Sequence, residues 1–149
     1  MKNDFKIVIV GGGIGGLYAA NAMLTKGFDV EVHEQAPALG EIGAGVFMTP
    51  NSVRQMQRIG LGDEVDRRGS LVGDKSHYYR HDGTPSARVQ TTASAGWNAT
   101  YGMHRADLVD MLARNLPEGV VHTGHVAERF EQDDRKARVR FKNGEMAEG

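Results

Sequence analysis

Cysteine is absent from all 149 residues, which excludes disulfides and thiolate metal sites. An excess of charge is absent as well. The 18 basic and 19 acidic residues leave a net charge of −1, too little to mark a surface for nucleic acid or an anionic membrane, and neither partner is expected. Long hydrophobic runs are missing too. The opening MKNDFKIVIV holds only four consecutive apolar residues before glycines interrupt it, too short for a signal-peptide core or a spanning helix, so the default compartment is the cytoplasm. The sequon Asn98-Ala99-Thr100 then reads as chance. Hydrophobic content of 40% and charged content of 25% are those of an ordinary globular protein, and the length suits one domain.

Glycine is what the chain has in plenty, with 20 in 149 residues against a usual share of roughly 7%. Nine of them lie between positions 11 and 45, which ties the excess to a ligand-binding backbone and not to a low-complexity linker. The run Ile7 to Val10 suits a strand buried on both faces, and Gly11, Gly13 and Gly16 follow it in GxGxxG spacing. In that spacing the first glycine turns tightly, the second admits a pyrophosphate to the backbone, and the third lets the helix pack on the strand. Ile14, Leu17, Tyr18, Asn21 and Leu24 recur at helical spacing until Gly27 offers a left-handed stop. The start of this helix aims free N–H groups and a positive dipole end at the glycine loop, so an anion can bind there without a lysine. A second strand, Phe28 to His33, ends at Glu34, whose carboxylate can accept hydrogen bonds from both hydroxyls of an adenosine ribose and would repel a 2′-phosphate. The plain alternative is a tight strand-to-helix turn followed by a solvated glutamate.

Residues 35 to 49 read as loop, because Pro37, Gly40, Gly43 and Gly45 leave no period. Its small residues would let backbone lie against a flat ligand. Helices are expected at Pro50 to Gly60 and around Asp63 to Arg68. Leu71 to His81 and Thr84 to Gln90 flank Asp82-Gly83 as a hairpin, and residues 91 to 100 read as loop around Trp97. A helix is expected from 101, with Leu108, Met111, Leu112 and Leu116 on one face and Pro117 as its terminator. Val120 to Thr123 should then form a strand parallel to the first two. HVAERFEQDD and KARVRFK read as further strands, the latter with Ala137, Val139 and Phe141 on one face, before a hairpin turn at Asn143-Gly144. The charge-rich run from Glu128 to Lys142 reads as a solvated sheet face. A returning arm needs about five or six residues to pair, so the chain is expected to be part of a longer protein.

Three segments together, VGGGIGG ending in Glu34, GAGVFMTPNSV, and MHRADL before a helix, resemble the N-terminal part of the class A flavoprotein monooxygenases, the para-hydroxybenzoate and salicylate hydroxylase family. The resemblance implies an α/β, Rossmann-like FAD-binding domain over residues 1–149, with a parallel sheet, an antiparallel hairpin and a meander. It would be incomplete, its 71–100 region bordering an absent substrate domain. By the same resemblance Gly11, Gly13, Ile14 and Gly15 offer backbone to the FAD pyrophosphate and Glu34 holds the ribose. Gly45 and Val46 would lie near the isoalloxazine, Arg105 would contact the phosphate-bearing centre of the cofactor, and the backbone of Val126 would meet adenine. The implied reaction is hydroxylation of a small aromatic substrate by reduced flavin and dioxygen, with NADH or NADPH as reductant. No catalytic acid or base stands out, and homo-oligomerisation is left open. The family's later cofactor motifs would lie beyond residue 149, so the 149 residues alone are expected not to catalyse the reaction. Gln35 stands where many relatives carry a basic residue, and Val46, Phe47 and Met48 are apolar where some place a polar substrate contact.

Rival chemistries have weaker support. His77 and His81 are four apart, a spacing that suits a metal only on a helix, whereas their segment reads as a strand. His122 and His125 straddle a turn, and no metal is expected at either pair. Tyr78 and Tyr79 read as packing residues. An NAD-dependent dehydrogenase module would continue in further βα units, where this chain turns to a hairpin. A non-catalytic nucleotide-binding fragment is the third reading.

Overall fold

The computed structural model describes residues 5–40, 44–73, 76–88 and 99–149. In chain order its elements are β1 (Lys6–Val10), α1 (Ile14–Leu24), β2 (Asp29–His33), β3 (Gly45–Met48), α2 (Pro50–Arg58), α3 (Gly62–Arg68), β4 (Ser70–Leu71) and β5 (His77–Tyr79). There follow β6 (Pro85–Arg88), β7 (Tyr101–His104), α4 (Arg105–Arg114), β8 (Val121–His122), β9 (Ala127–Gln132), β10 (Ala137–Phe141) and β11 (Met146–Glu148). They fall into two compact units, one of Met1–Ile42 with Leu108–Gly149 and one of Gly43–Asp107. Among the described residues no helix is long and apolar enough to cross a membrane.

In the first unit β1 and β2 run parallel and adjacent, pairing Ile7 with Val30 and Val10 with His33, and β8 joins the far side of β2 in the same direction. The period of two then sorts β2 by face. Val30 and Val32 are fully buried, whereas Glu31 and His33 point the other way, as does Val8, which packs on Val139, Phe141 and Ala147 of an antiparallel β11-β10-β9 meander. The left-handed stop after α1 is present at Gly27, whose φ is 81°. The last hairpin turns at Gly144 with φ 90°, and the residues after it do return as β11. Three residues pair, from Arg140↔Met146 to Arg138↔Glu148, and a reciprocal pair of backbone bonds between Ala137 and Gly149 closes the ladder. On the solvated face Arg138 bridges Glu148 at 2.7 Å and Asp133 at 2.9 Å, as the mixed charges of that run suggest.

The buried stripe of α1 is Leu17, Ala20 and Asn21. The polar member earns its place through hydrogen bonds. Asn21 Nδ2 donates to the carbonyls of Leu17 at 2.8 Å and Leu112 at 2.9 Å, while its Oδ1 accepts from Asn115 at 2.8 Å. Leu112 lies in the last turn of α4, where intrahelical donors run out, so Asn21 caps one helix with the side chain of another. Asn21→Ala should lower stability by about 3 kcal/mol, near 1 for each of the three net hydrogen bonds lost. A lower urea midpoint at unchanged m-value is the expected measurement.

The second unit corrects the loop expected at residues 35 to 49, since Gly45–Met48 is strand β3. It pairs antiparallel with β7, Gly45 opposite His104 and Met48 opposite Tyr101. The helix expected from 101 begins at Arg105, because Tyr101–His104 is that partner strand. Local helical spacing gave way to pairing with a segment more than fifty residues away, the tertiary override to which short strands are prone. Tyr101 and Met103 point into the core with Met48, Val53, Met56 and Val65, and the Tyr101 hydroxyl donates to Asp66. The Asp82-Gly83 hairpin forms with Gly83 at φ 83° and Asp82 Oδ1 accepting from the Thr84 backbone N–H at 2.9 Å. Its arms are shorter than expected: β5 and β6 pair over His77 to Arg88, and Leu71 pairs instead with Tyr101. Tyr78 and Tyr79 are each 61% exposed, so they are surface residues and not packing ones. The loop expected at 91–100 lies, apart from residues 99 and 100, outside the described residues.

Candidate functional site

The glycine turn between β1 and α1 shows three different uses of a missing side chain. Gly11 has φ 109°, a backbone that L-residues rarely adopt, and its N–H donates to the His33 carbonyl at 2.8 Å, tying the turn to the end of β2. A Cβ at Gly13 would meet nothing within 4 Å, so its backbone faces open space at the helix mouth. A Cβ at Gly16 would stand 1.9 Å from the Gly11 carbonyl oxygen. Gly13 is also the N-cap of α1 and supplies no side-chain acceptor. The first-turn N–H groups, those of Ile14 and Gly15 included, therefore keep their capacity to bind an anion, with the helix dipole behind them.

Glu34 sits at the tip of β2, held there by backbone bonds to β8 and the turn beyond it: its N–H donates to the His122 carbonyl and its carbonyl accepts from His125, both at 2.8 Å. Its carboxylate folds onto the glycine turn. Oε2 accepts from the Gly12 N–H at 2.6 Å and Oε1 from the Ala36 N–H at 2.8 Å. A carboxylate offers about four lone-pair sites, so two remain for hydroxyl donors. Gly12 is needed for this approach, because a Cβ there would lie 2.9 Å from the Glu34 Cβ. The sequence reading did not single out Gly12, although its place inside the glycine run was a signal.

A cleft of about 260 Å³ opens beside Glu34, lined by Val10, Gly11, His33, Gln35, His125 and Ala127. Val126 lies between two of these lining residues, and its carbonyl accepts from Lys142 at 2.9 Å. His125 is bonded to the Thr123 carbonyl and to Glu145, each at 2.7 Å; the Glu145 bond raises its pKa above the ordinary imidazole value, against the opposing effect of burial. The first unit thus gathers Gly11, Gly13, Ile14, Gly15 and Glu34 around one strand-to-helix mouth, and Val126 lies in the backbone between His125 and Ala127 of the neighbouring cleft.

Gly45, Val46 and Arg105 belong to the second unit, where the structure joins them. Val46 pairs with Met103, and the Arg105 N–H donates to the Ala44 carbonyl at 2.9 Å, extending the β3–β7 ladder by one bond into α4. Two motifs about sixty positions apart are therefore one piece of backbone. A broad cleft of about 490 Å³ runs along this ladder, lined by Gly45, Val46, Phe47, Gly102 and His104. Phe47 is 76% exposed at its edge.

A flat, double-anionic dinucleotide suits these features: bare backbone at a helix start, an acid with spare acceptors, and a cleft beside it. Comparison with known proteins agrees. Residues 4–148 match the family model described as an FAD binding domain. The chain is 34% identical to 6-hydroxynicotinate 3-monooxygenase of Bordetella bronchiseptica, covering 99% of this chain and 39% of that protein. It is 35% identical to a salicylate hydroxylase of Pseudomonas putida, covering 96% of this chain and 33% of the relative. The fold is that of Klebsiella pneumoniae HpxO, solved with FAD and uric acid, at a TM-score of 0.81 and 24% identity over 100% of this chain and 38% of that one. The chain thus spans between a third and two fifths of the length of these relatives. It belongs to the FAD-binding domain family of the flavin-dependent aromatic monooxygenases.

Proposed function

We propose that these residues form the N-terminal FAD-binding portion of a monooxygenase that hydroxylates a small aromatic ring with dioxygen, NADH or NADPH being the reductant. The observation that carries the reading is the Glu34 carboxylate locked onto the Gly12 amide at the mouth of α1, with acceptor capacity left over. In this reading Gly11, Gly13, Ile14 and Gly15 receive the pyrophosphate, Glu34 the adenosine ribose, and the Val126 backbone the adenine. Gly45 and Val46 lie against the flavin ring, and Arg105 pairs with a phosphate oxygen, for which a guanidinium is well shaped. FAD supplies the redox chemistry when bound; the chain supplies placement and exclusion of water. Aromatic substrates are supported by the relatives named for hydroxynicotinate and salicylate. The residues around 71–100 are proposed to border the substrate region, and the cytoplasm is the proposed compartment.

Purified chain titrated with FAD should quench flavin fluorescence saturably and carry a bound yellow chromophore through gel filtration. NAD at the same concentration should not displace it. Displacement by NAD, or no retention of flavin, would turn the assignment toward a dehydrogenase module or a non-binding fragment.

A further inference from the structure

The face of β2 turned away from α1 carries a cluster of which only His33 also lines the cleft beside Glu34. Parallel pairing sets His33 directly opposite His122, and the two-residue period puts Glu31 on the same face. The His33 and His122 rings stack with centroids 4.9 Å apart and planes inclined by 17°. His33 is only 6% exposed, packed on Phe141, and neither of its ring nitrogens has a hydrogen-bond partner; Nε2 of His122 is likewise buried and unpartnered. Glu31 gives Oε1 to Lys6 at 2.7 Å and leaves Oε2 3.5 Å from His33 Nε2. Buried polar atoms are normally bonded, and three such nitrogens in one cluster need an account.

We propose that Glu31, His33 and His122 form a binding site for a first-row divalent cation of the zinc type. One donor atom from each residue already lies within 4.8 Å of the others. Tetrahedral zinc, with bonds of about 2.0–2.1 Å, asks for donors roughly 3.4 Å apart, so binding would draw the three side chains closer together. Two imidazoles and a carboxylate favour zinc, cobalt or nickel over magnesium or calcium, which prefer all-oxygen sites. Burial, and then the neighbouring His122, push the His33 pKa below its ordinary value. Burial acts to raise the Glu31 carboxyl, but Lys6 and His33 outweigh it and keep it ionised. The bound ion would join the ends of β2 and β8 immediately before Glu34. The signal in the sequence was the Glu31-x-His33 alternation within a strand.

Metal-free chain should bind one equivalent of Zn²⁺ by calorimetry, show the intensified visible bands of tetrahedral Co²⁺, and melt at a higher temperature with Zn²⁺ but not with Mg²⁺. His122→Gln and Glu31→Gln should each weaken Zn²⁺ at least about tenfold, while the exposed His81→Gln leaves it unchanged. Circular dichroism checks that each variant folds, and His122→Gln decides alone if Glu31→Gln does not. No Zn²⁺ binding by the parent chain, or binding that survives His122→Gln, would overturn the site. Flavin titration is independent of these readouts, so failure here and failure of the FAD assignment are distinguishable.

Discussion

Gly16→Ala is expected to destabilise the first unit by about 3 kcal/mol or more and to abolish flavin retention. The added methyl would stand 1.9 Å from the Gly11 carbonyl oxygen on the strand-to-helix turn and 3.3 Å from Ile9 Cγ2 on β1. The nearest obstacle is backbone, so relief requires moving the helix or the turn and not a side-chain rotation. Overpacking typically costs about 1–3 kcal/mol and occasionally more, and the offset from better helix propensity is only about 1 kcal/mol. Against a total stability of about 5–15 kcal/mol the loss is large. The urea midpoint followed by circular dichroism measures it, and a midpoint equal to that of the parent chain would remove the packing argument.

Gly13→Ala supplies the contrast. Its backbone has φ −75° and a Cβ there meets nothing within 4 Å, so the fold should tolerate the change, with a midpoint close to that of the parent chain. Flavin affinity should nevertheless fall, because the methyl would occupy the space where a pyrophosphate has to approach. Two glycines three positions apart would then separate cleanly, one serving the fold and one the ligand. Loss of stability in both variants with equal loss of flavin would mean that the mouth has no ligand-specific position.

What could be read in the sequence and what could not divide along one physical line. The β1, α1, β2 unit was legible because each of its signals is local: β-branched run, glycine spacing, helical period, then a left-handed stop at Gly27. The hairpin turns at Gly83 and Gly144 were legible for the same reason. Strands β3 and β7 were not, because each is four residues long and is made a strand only by distant partners, β3 by β7 and β7 by both β3 and β4. The helical stripe of Leu108, Met111, Leu112 and Leu116 has no local signal that marks its start, and only the ladder to Met48 and Val46 makes Tyr101–His104 a strand. In the site, Glu34 could be placed by counting from Gly13, but its bond to Gly12 could not, since it depends on how closely two strand ends approach. The Glu31, His33 and His122 cluster needed the register of β2 on β8, which spacing along the chain does not encode.

Glu34→Ala should weaken FAD binding by about 1–3 kcal/mol, a rise in Kd of roughly 5- to 150-fold. The variant loses two kinds of interaction at once. Within the protein, the Gly12 and Ala36 N–H groups lose their acceptors at 2.6 and 2.8 Å, which loosens the turn that faces the pyrophosphate. Toward the ligand, the charge-assisted bonds from the ribose hydroxyls are lost, and such bonds are about twice as strong as neutral ones. Glu34→Gln separates the two contributions, because the amide keeps one acceptor of nearly the same shape but no charge, and its Kd should fall between those of Ala and the parent. A second measurement tests the sign of the field. ADP should compete with FAD far better than its 2′-phosphorylated form in the parent chain, and the gap should narrow in Glu34→Gln, where a carboxylate no longer faces the phosphate. If both variants hold FAD as tightly as the parent, the acid serves the turn alone and the sugar is held elsewhere.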